Sequence, residues 1–417
     1  MESLRGTKDI LQNEIHLWQH VYNIAKQILT TSNYYEIRTP IIEYTQLFNR
    51  SIGYDTDIIN KEMYNFTDQG HRNITLRPEG TASIARAFIS NKMYNYNQIN
   101  RLWYLGPMFR YERPQKGRQR QFHQLGVECL GSDSPLADTE IIRLAIKLLN
   151  HLSCTNYKLE INCIGNLEER NKYRKKLVNY LLPYINDLDA DSQKRIYSNP
   201  LRILDTKNIK TQNILKQAPQ LLSCLNKQSV EHFEKVCQYL SNLNIQYTIN
   251  PYLVRGLDYY NYTAFEIKNN IPGQQNTICG GGRYDDLIQQ IGGPKTPAVG
   301  WAIGLERLII MIQNEKKQLK PIYIALQGEE AKMKIWDIIV IIEKQSIPFQ
   351  LDLSNNSFYK QIKKANLMKS KLCLIIGSSE IIKNSITIKW LNTGMQKNIP
   401  LYQLENYLYY MKSYIIT

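Results

Sequence analysis

Seven cysteines are scattered along the 417 residues, at Cys129, Cys154, Cys163, Cys224, Cys237, Cys279 and Cys373, and no two form a CxxC pair. Such a set argues against a zinc knuckle and against a disulfide framework, so a reducing compartment is expected. No stretch approaches the ~18 uninterrupted apolar residues that a membrane helix needs, which predicts no membrane partner. The opening residues, MESLRGTKDIL, show neither a basic-then-apolar signal nor an Arg/Ser-rich transit pattern. The expectation is a protein that works where it is made, or one whose leader has been removed. Internal repeats and low-complexity tracts are absent. Arginine is missing from the chain after Arg307.

What is present is positive charge. The net charge is +15, with 33 Lys against 19 Arg. An excess of this size predicts a polyanionic partner, bound with release of counterions. Abundant Lys, Asn, Ile and Tyr also fit A/T-rich codon usage. Where lysine is the default base, surviving arginines mark places where a planar fork matters. Arg77, Arg110, Arg113, Arg118, Arg120, Arg255, Arg283 and Arg307 all fall in polar motifs. Hydrophobic residues make up 43% of the chain, enough for a sizeable core in two or three domains.

Apolar positions at Ile15, Trp18, Val21, Ala25 and Ile28 predict a helix over 11–31. His16 and His20, one turn apart on it, read as a solvated or structural pair. YYEIRTPII reads as a strand broken at Pro40. Short apolar runs from 53 to 130 suggest an antiparallel sheet rather than βαβ repeats. Ser134-Pro135 opens a helix to about Leu152. Residues 166–245 read as a helical, loop-rich insertion or small domain. Strands resume with QYTINPYLVRGLDYYNYTAFEI and end near CGGGRYDDL, and a helix follows at Gly304–Asn314. EKKQLKP, residues 315–321, reads as a linker to a small α/β unit. From 308 to 417 there are 15 Lys against 8 Asp plus Glu, so this tail is basic too.

Four motifs carry chemistry. YLGPMFRYERPQKGRQRQFHQLGVECLG, residues 104–131, reads as strand, basic turn, strand. Arg110 and Glu112 alternate on the first strand; Gln124, Gly126 and Glu128 share a face of the second. TLRPEGTASIARAF, residues 75–88, puts Glu79 at a helix mouth with Thr81 as a candidate cap. CGGGRYDDLI is neither a P-loop nor a dinucleotide fingerprint. AVGWAIGLERLI places Arg307 in the first turn of a helix, where the dipole disfavours a cation and a facing anion would suit it. A fifth stretch, LVRGLDYYNYTAFEI, sets Arg255 beside Tyr259 and Tyr260. If it is all strand, one of those adjacent tyrosines faces away from the other.

RGTKDIL, TLRPEGT, FRYERPQKGRQRQFHQLGVE, LVRGLDYY, GGGRYDDL and GLERL, in this order, resemble the histidyl-tRNA synthetases, a class II aminoacyl-tRNA synthetase family. The resemblance covers about 1–315, and the tail resembles that family's anticodon-binding domain, with no glycine near Asn384. It implies an α+β fold: an antiparallel-sheet catalytic core (1–165 and 246–315) with a helical insertion (166–245), then a small α/β anticodon-binding domain (321–417). It implies histidine–tRNA ligation, with ATP as substrate accompanied by Mg2+, and L-histidine and tRNA(His) as partners of a homodimer. By resemblance, Arg110 and Arg255 are catalytic. Glu79, Thr81, Gln124, Glu128, Arg255, Tyr259, Tyr260 and Tyr284 bind histidine. Arg110, Glu112, Arg118, Phe122 and Arg307 bind ATP, and Lys116, Arg118 and Arg120 face the tRNA acceptor end. No metal ligand from a protein side chain is implied. A catalytically silent, histidine-sensing relative would be expected to lack the phosphate-gripping arginines or the tail. The composition leans toward a plastid (chloroplast stroma), with a bacterial cytoplasm as the alternative.

Overall fold

Alternation in QFHQLGVECL sets the architecture. Leu125, Val127 and Cys129 enter one core, so the even-numbered residues of the strand stand on the opposite face. The computed structural model describes residues 1–417 except 54, 55, 57, 116, 271–276, 313–319 and 417. They divide into two compact units, Met1–Glu315 and Lys316–Thr417.

The first unit is built on an eight-stranded sheet. Its strands are β1 (Tyr35–Glu36), β2 (Asn100–Phe109), β3 (Gln121–Leu130), β4 (Tyr157–Cys163), β5 (Thr248–Ile249), β6 (Asn261–Asn269), β7 (Thr277–Arg283) and β8 (Ala298–Gly304). The order is β1-β2-β3-β8-β7-β6-β4-β5. The six central strands pair antiparallel. β1 and β5 are added parallel at the two edges. A separate three-stranded antiparallel sheet joins Ile42–Tyr44, Asn73–Leu76 and Tyr64–Thr67. Pro40 lies in the break between Tyr35–Glu36 and Ile42–Tyr44.

The helices that matter for the site are α1 (Gln12–Thr31), α2 (Thr81–Ser90), α3 (Pro135–His151), α4 (Leu167–Leu181), α5 (Lys227–Asn242) and α6 (Leu305–Ile312). α1, α3, α5 and α6 cover one sheet face and bury Val21, Ile141, Val236 and Leu308 against Trp103, Phe265 and Trp301. Ile15, expected in the buried stripe of α1, is exposed. α3 starts where Ser134-Pro135 predicted, and the Ser134 hydroxyl accepts from the amide of Leu136 at 3.2 Å.

The opposite face is covered by α2 and the insertion. Ile84 and Phe88 of α2, Tyr173 and Leu177 of α4, Ile203, Tyr259, Tyr260 and Tyr284 form one core. Phe233, Val236 and Leu240 of α5 belong instead to the core of the first face. Thus residues 166–245 are helical as expected, but their apolar side chains are shared with the sheet. Glu169 ties the start of α4 to the start of α5. Its carboxylate accepts from the amides of Asn166 and Asn226 and from the Ser229 hydroxyl.

One reading needs correction. QYTINPYLVRGLDYYNYTAFEI is not strand throughout: only Thr248–Ile249 and Asn261–Asn269 are. Pro251 and Gly256 fall in the break, and Pro cannot donate to a ladder. Arg255 through Tyr260 therefore sit on a turn-rich loop above the sheet.

The second unit holds a five-stranded mixed sheet, with Phe349–Leu351, Ile322–Leu326 and Leu372–Ile376 parallel and Ser385–Trp390 and Gln396–Pro400 antiparallel. The last strand was not foreseen. Helices Glu329–Lys344 and Leu404–Ile416 contribute Ile335, Ile338 and Leu408 to its core. Asn384 adopts a left-handed φ of 46°, a conformation that asparagine tolerates better than most residues. Of the expected linker, residues 315–319 lie outside the described residues.

Candidate active site

A single row of residues across the sheet shapes the cleft. Register pairs Tyr104 with Gly126, Gly126 with Ala302, Ala302 with Gly280, Gly280 with Glu266, and Glu266 with Glu160. Large side chains stand at the ends and almost none in the middle. The cleft floor is this gap. A Cβ at Gly280 would lie 2.1 Å from Nη2 of Arg255, and a Cβ at Gly300 would lie 1.7 Å from Oε2 of Glu128. The glycines of CGGGR and AVGWAIG thus create space for other side chains, a role that strand glycines often have.

Around this floor the structure gathers Glu79, Thr81, Arg110, Glu112, Arg118, Phe122, Gln124, Arg255, Tyr259, Tyr260 and Arg307 as the lining of one cleft. The two adjacent tyrosines both face it, because they lie on the turn before β6. Their ring centroids are 4.7 Å apart. Thr81 is not the cap of α2. The Glu79 carboxylate takes that part, accepting from the amides of Thr81 (2.7 Å) and Ala82 (2.8 Å), as suits an anion at a helix N-terminus. Burial raises the Glu79 carboxyl above its ordinary pKa, and these two N–H groups oppose the shift.

The four arginines are each held. Arg255 forms a close ion pair with Glu266, and its guanidinium lies 5.6 Å from the Tyr260 ring centroid. Its Nε has no hydrogen-bond partner among the described residues. Arg307 donates to the carbonyls of Thr277 (2.7 Å) and Gly117 (3.3 Å). Arg110 lies over Phe122, 5.2 Å from its centroid, and donates to the carbonyl of Pro78 at 2.8 Å. β2 ends at Phe109, so Arg110 and Glu112 do not alternate on a strand as expected. The Glu112 carboxylate pairs with Arg118 (3.1 Å) and stands 3.9 Å from Arg110. Four cations, a buried carboxylate and two buried phenols around one gap can hold a polyanionic nucleotide next to a small amphoteric ligand.

Comparisons with known proteins agree with this chemistry. A family model described as histidyl-tRNA synthetase matches residues 6–308, and one described as an anticodon binding domain matches 309–409. The chain is 65% identical over 399 residues, 95% of each chain, to a histidine–tRNA ligase named as chloroplastic from Gracilaria tenuistipitata var. liui. It is 49% identical over 407 residues to the histidine–tRNA ligase of Rippkaea orientalis, covering 97% of this chain and 95% of that one. The crystal structure of apo S. aureus histidyl-tRNA synthetase superposes with a TM-score of 0.81 at 35% identity, covering 98% and 99% of the two chains. The chain belongs to the histidyl-tRNA synthetase family. Its reaction is histidine–tRNA ligation: L-histidine and ATP give histidyl-adenylate and pyrophosphate, and histidine then passes to the 3′ end of tRNA(His).

In this synthetase, two of the expected histidine-binding residues stand behind the cleft rather than in its lining. Glu128 is buried and accepts from the Thr81 hydroxyl at 2.7 Å and the Tyr284 hydroxyl at 2.5 Å. Burial pushes its carboxyl up to about 8, against the pull of those two donors. Burial likewise pushes Tyr260 up to about 12. Arg120 does not join the cleft. It stacks on Tyr111, 3.9 Å from the ring centroid, and its amide donates to the carbonyl of Gly6 at 2.7 Å. Lys116 lies outside the described residues.

Sequence reading missed Glu266 and Tyr104. Glu266 sits inside LVRGLDYYNYTAFEI but reads there as an ordinary strand carboxylate. Only the register of β6 against β7 puts it beside Arg255. Tyr104 fills the space over Gly126 and Gly80, and its buried hydroxyl has no partner among the described residues.

Proposed function

We propose that Arg255 bridges the histidine carboxylate and the α-phosphate of ATP, while Arg110 holds that phosphate and Arg118 and Arg307 grip the outer ones. In the first step a carboxylate oxygen attacks the α-phosphorus in line and pyrophosphate leaves. Two anions must meet, so cations fixed beforehand lower the barrier without reorganising during the step. The observation that carries the reading is that Arg110, Arg118, Arg255 and Arg307 line one cleft with Glu79, Tyr259 and Tyr260.

Glu79, Thr81 and Gln124 take the α-ammonium end of histidine. Neutral imidazole offers one donor and one acceptor, which Tyr259 and Tyr260 meet in front and Glu128 and Tyr284 support from behind. An apolar side chain in this pocket would leave those groups unpaired, and it is rejected for that reason. Glu112 pairs with Arg118. Phosphates take over the arginines, and Glu112 is then released to accept from the adenine amino group between Phe122 and Arg307. Mg2+ accompanying ATP would neutralise charge on the outer phosphates that Arg118 and Arg307 grip.

Lys116, Arg118 and Arg120 contact the tRNA acceptor end. Residues 1–165 and 246–315 form the catalytic core, 166–245 the insertion and 321–417 the anticodon-binding domain. The enzyme is a homodimer whose interface includes the segment around Pro40, where Tyr35, Ile41, Ile42 and Tyr44 are exposed. It works in a plastid stroma, a placement supported by its 65% identity to the chloroplastic relative. The test is to charge purified tRNA with each of the twenty amino acids in turn. Histidine alone is expected to be incorporated; charging with another amino acid, or no charging by folded protein, overturns the reading.

A further inference from the structure

Nothing in this chemistry uses the helical insertion, yet three of its side chains end on the loop that carries Arg255. Arg170 of α4 donates from Nη1 to the carbonyl of Asp258 at 3.0 Å. Asn199, just past the helix Ala190–Ser198, donates from Nδ2 to the Asp258 carboxylate at 3.1 and 3.4 Å. Arg202 donates from Nη2 to the carbonyl of Gly256 at 2.8 Å. The loop belongs to no strand or helix, so no sheet ladder fixes it. From the catalytic side the Asp258 amide donates to the carbonyl of Ile52 at 3.2 Å. The Asp258 carboxylate also sits against Gly53, where a Cβ would lie 2.6 Å from Oδ2. Arg170 is largely buried, at a desolvation cost, and its hydrogen bond goes to this loop's backbone.

We propose that the insertion is a positioning clamp for Arg255. Arg170, Asn199 and Arg202 fix the 256–258 segment, and that sets where the neighbouring guanidinium enters the cleft. None of the three lines the cleft where substrate is placed, and each acts through Arg255. The clamp rests on the reading of Arg255 given above. Glu169 ties the insertion's first helix to the start of α5, so a shift of the insertion against the sheet moves the loop and changes the rate of activation.

The test uses the full chain with Asn199→Ala and Arg202→Met, singly and together, in histidine-dependent ATP–pyrophosphate exchange. Arg202→Lys and Arg255→Ala are run beside them. The double variant is expected to lose roughly 10- to 100-fold in kcat, as a displaced catalytic group does, while KM for ATP stays within about twofold. Arg202→Lys keeps one donor and is expected to recover most of the rate. If the double variant does not fold, each single variant is expected to lose roughly 3- to 10-fold. A lower Tm with unchanged kcat per folded molecule makes the contacts merely structural and overturns the clamp. An inactive Arg255→Ala beside unaffected clamp variants overturns the clamp alone. Full turnover by Arg255→Ala overturns the reading of Arg255, and the clamp with it.

Discussion

Arg255 and Arg283 look alike in the sequence, each in a motif rich in tyrosine and aspartate, and each is buried against a carboxylate. Their surroundings differ. Arg283 is 1% exposed and uses all three nitrogens, on Asp138, Asp285 and the carbonyls of Ser132 and Ser134. The His232 imidazole lies beside the same carboxylate, its Nε2 3.3 Å from Asp138. Burial alone would raise the Asp138 carboxyl, but Arg283 and His232 outweigh it and hold it well below the usual carboxylate range. Among the described residues, Arg255 has one carboxylate partner and an orphan Nε, and 15% of its side chain is exposed. A saturated buried arginine staples β7 to α3. An unsaturated one keeps hydrogen-bonding capacity for a ligand.

The widest separation between the two sites comes from breaking the staple. Asp138→Asn removes the closer of the two carboxylates on Arg283 and is expected to cost on the order of 3 kcal/mol of stability, with kcat per folded molecule retained; denaturant unfolding beside exchange assays checks both. Gly280→Ala inverts that pattern. The added methyl occupies the place of the Arg255 guanidinium, so activation falls roughly 100-fold while Tm changes little. Glu266→Gln keeps the shape and removes the charge that holds Arg255, with a loss of about tenfold in kcat.

A pH-dependent effect concerns Glu128. Its folded pKa, about 8, lies above the ordinary value of 4.5. A raised carboxyl contributes stability that is present below the unfolded pKa and is lost as pH rises through the folded one. Relative to Glu128→Gln, the unliganded wild type should therefore lose stability as pH rises from about 4.5 to 8. Thermal unfolding of both proteins across that range measures it.

Much of the site was legible because its residues cluster in short motifs. Arg110, Glu112, Arg118, Phe122 and Gln124 come from one hairpin, and Glu79 and Thr81 from one helix start. What escaped depended on pairing. Glu266 reaches Arg255 only through the register of β6 on β7, and register is a tertiary property. The strand reading of 250–260 failed because period and β-propensity are blind to a loop held by side chains from another segment. Thr81 resembles a cap by type, but the carboxylate two residues earlier reaches the helix amides first. The insertion was legible as helix from its general pattern alone; the caps that start its helices, Asn166, Asp189, Asn208 and Asn226, were not singled out. Which cores it feeds was not legible, because apolar periodicity marks a buried face without naming its partner.

The central claim is that one guanidinium brings two repelling anions together. The direct measurement is kcat and histidine KM for Arg255→Ala in ATP–pyrophosphate exchange, against wild type. The account predicts a fall in kcat of roughly 100- to 1,000-fold, with a much smaller change in histidine KM. Turnover within about twofold of wild type, or a loss confined to histidine KM, would contradict it.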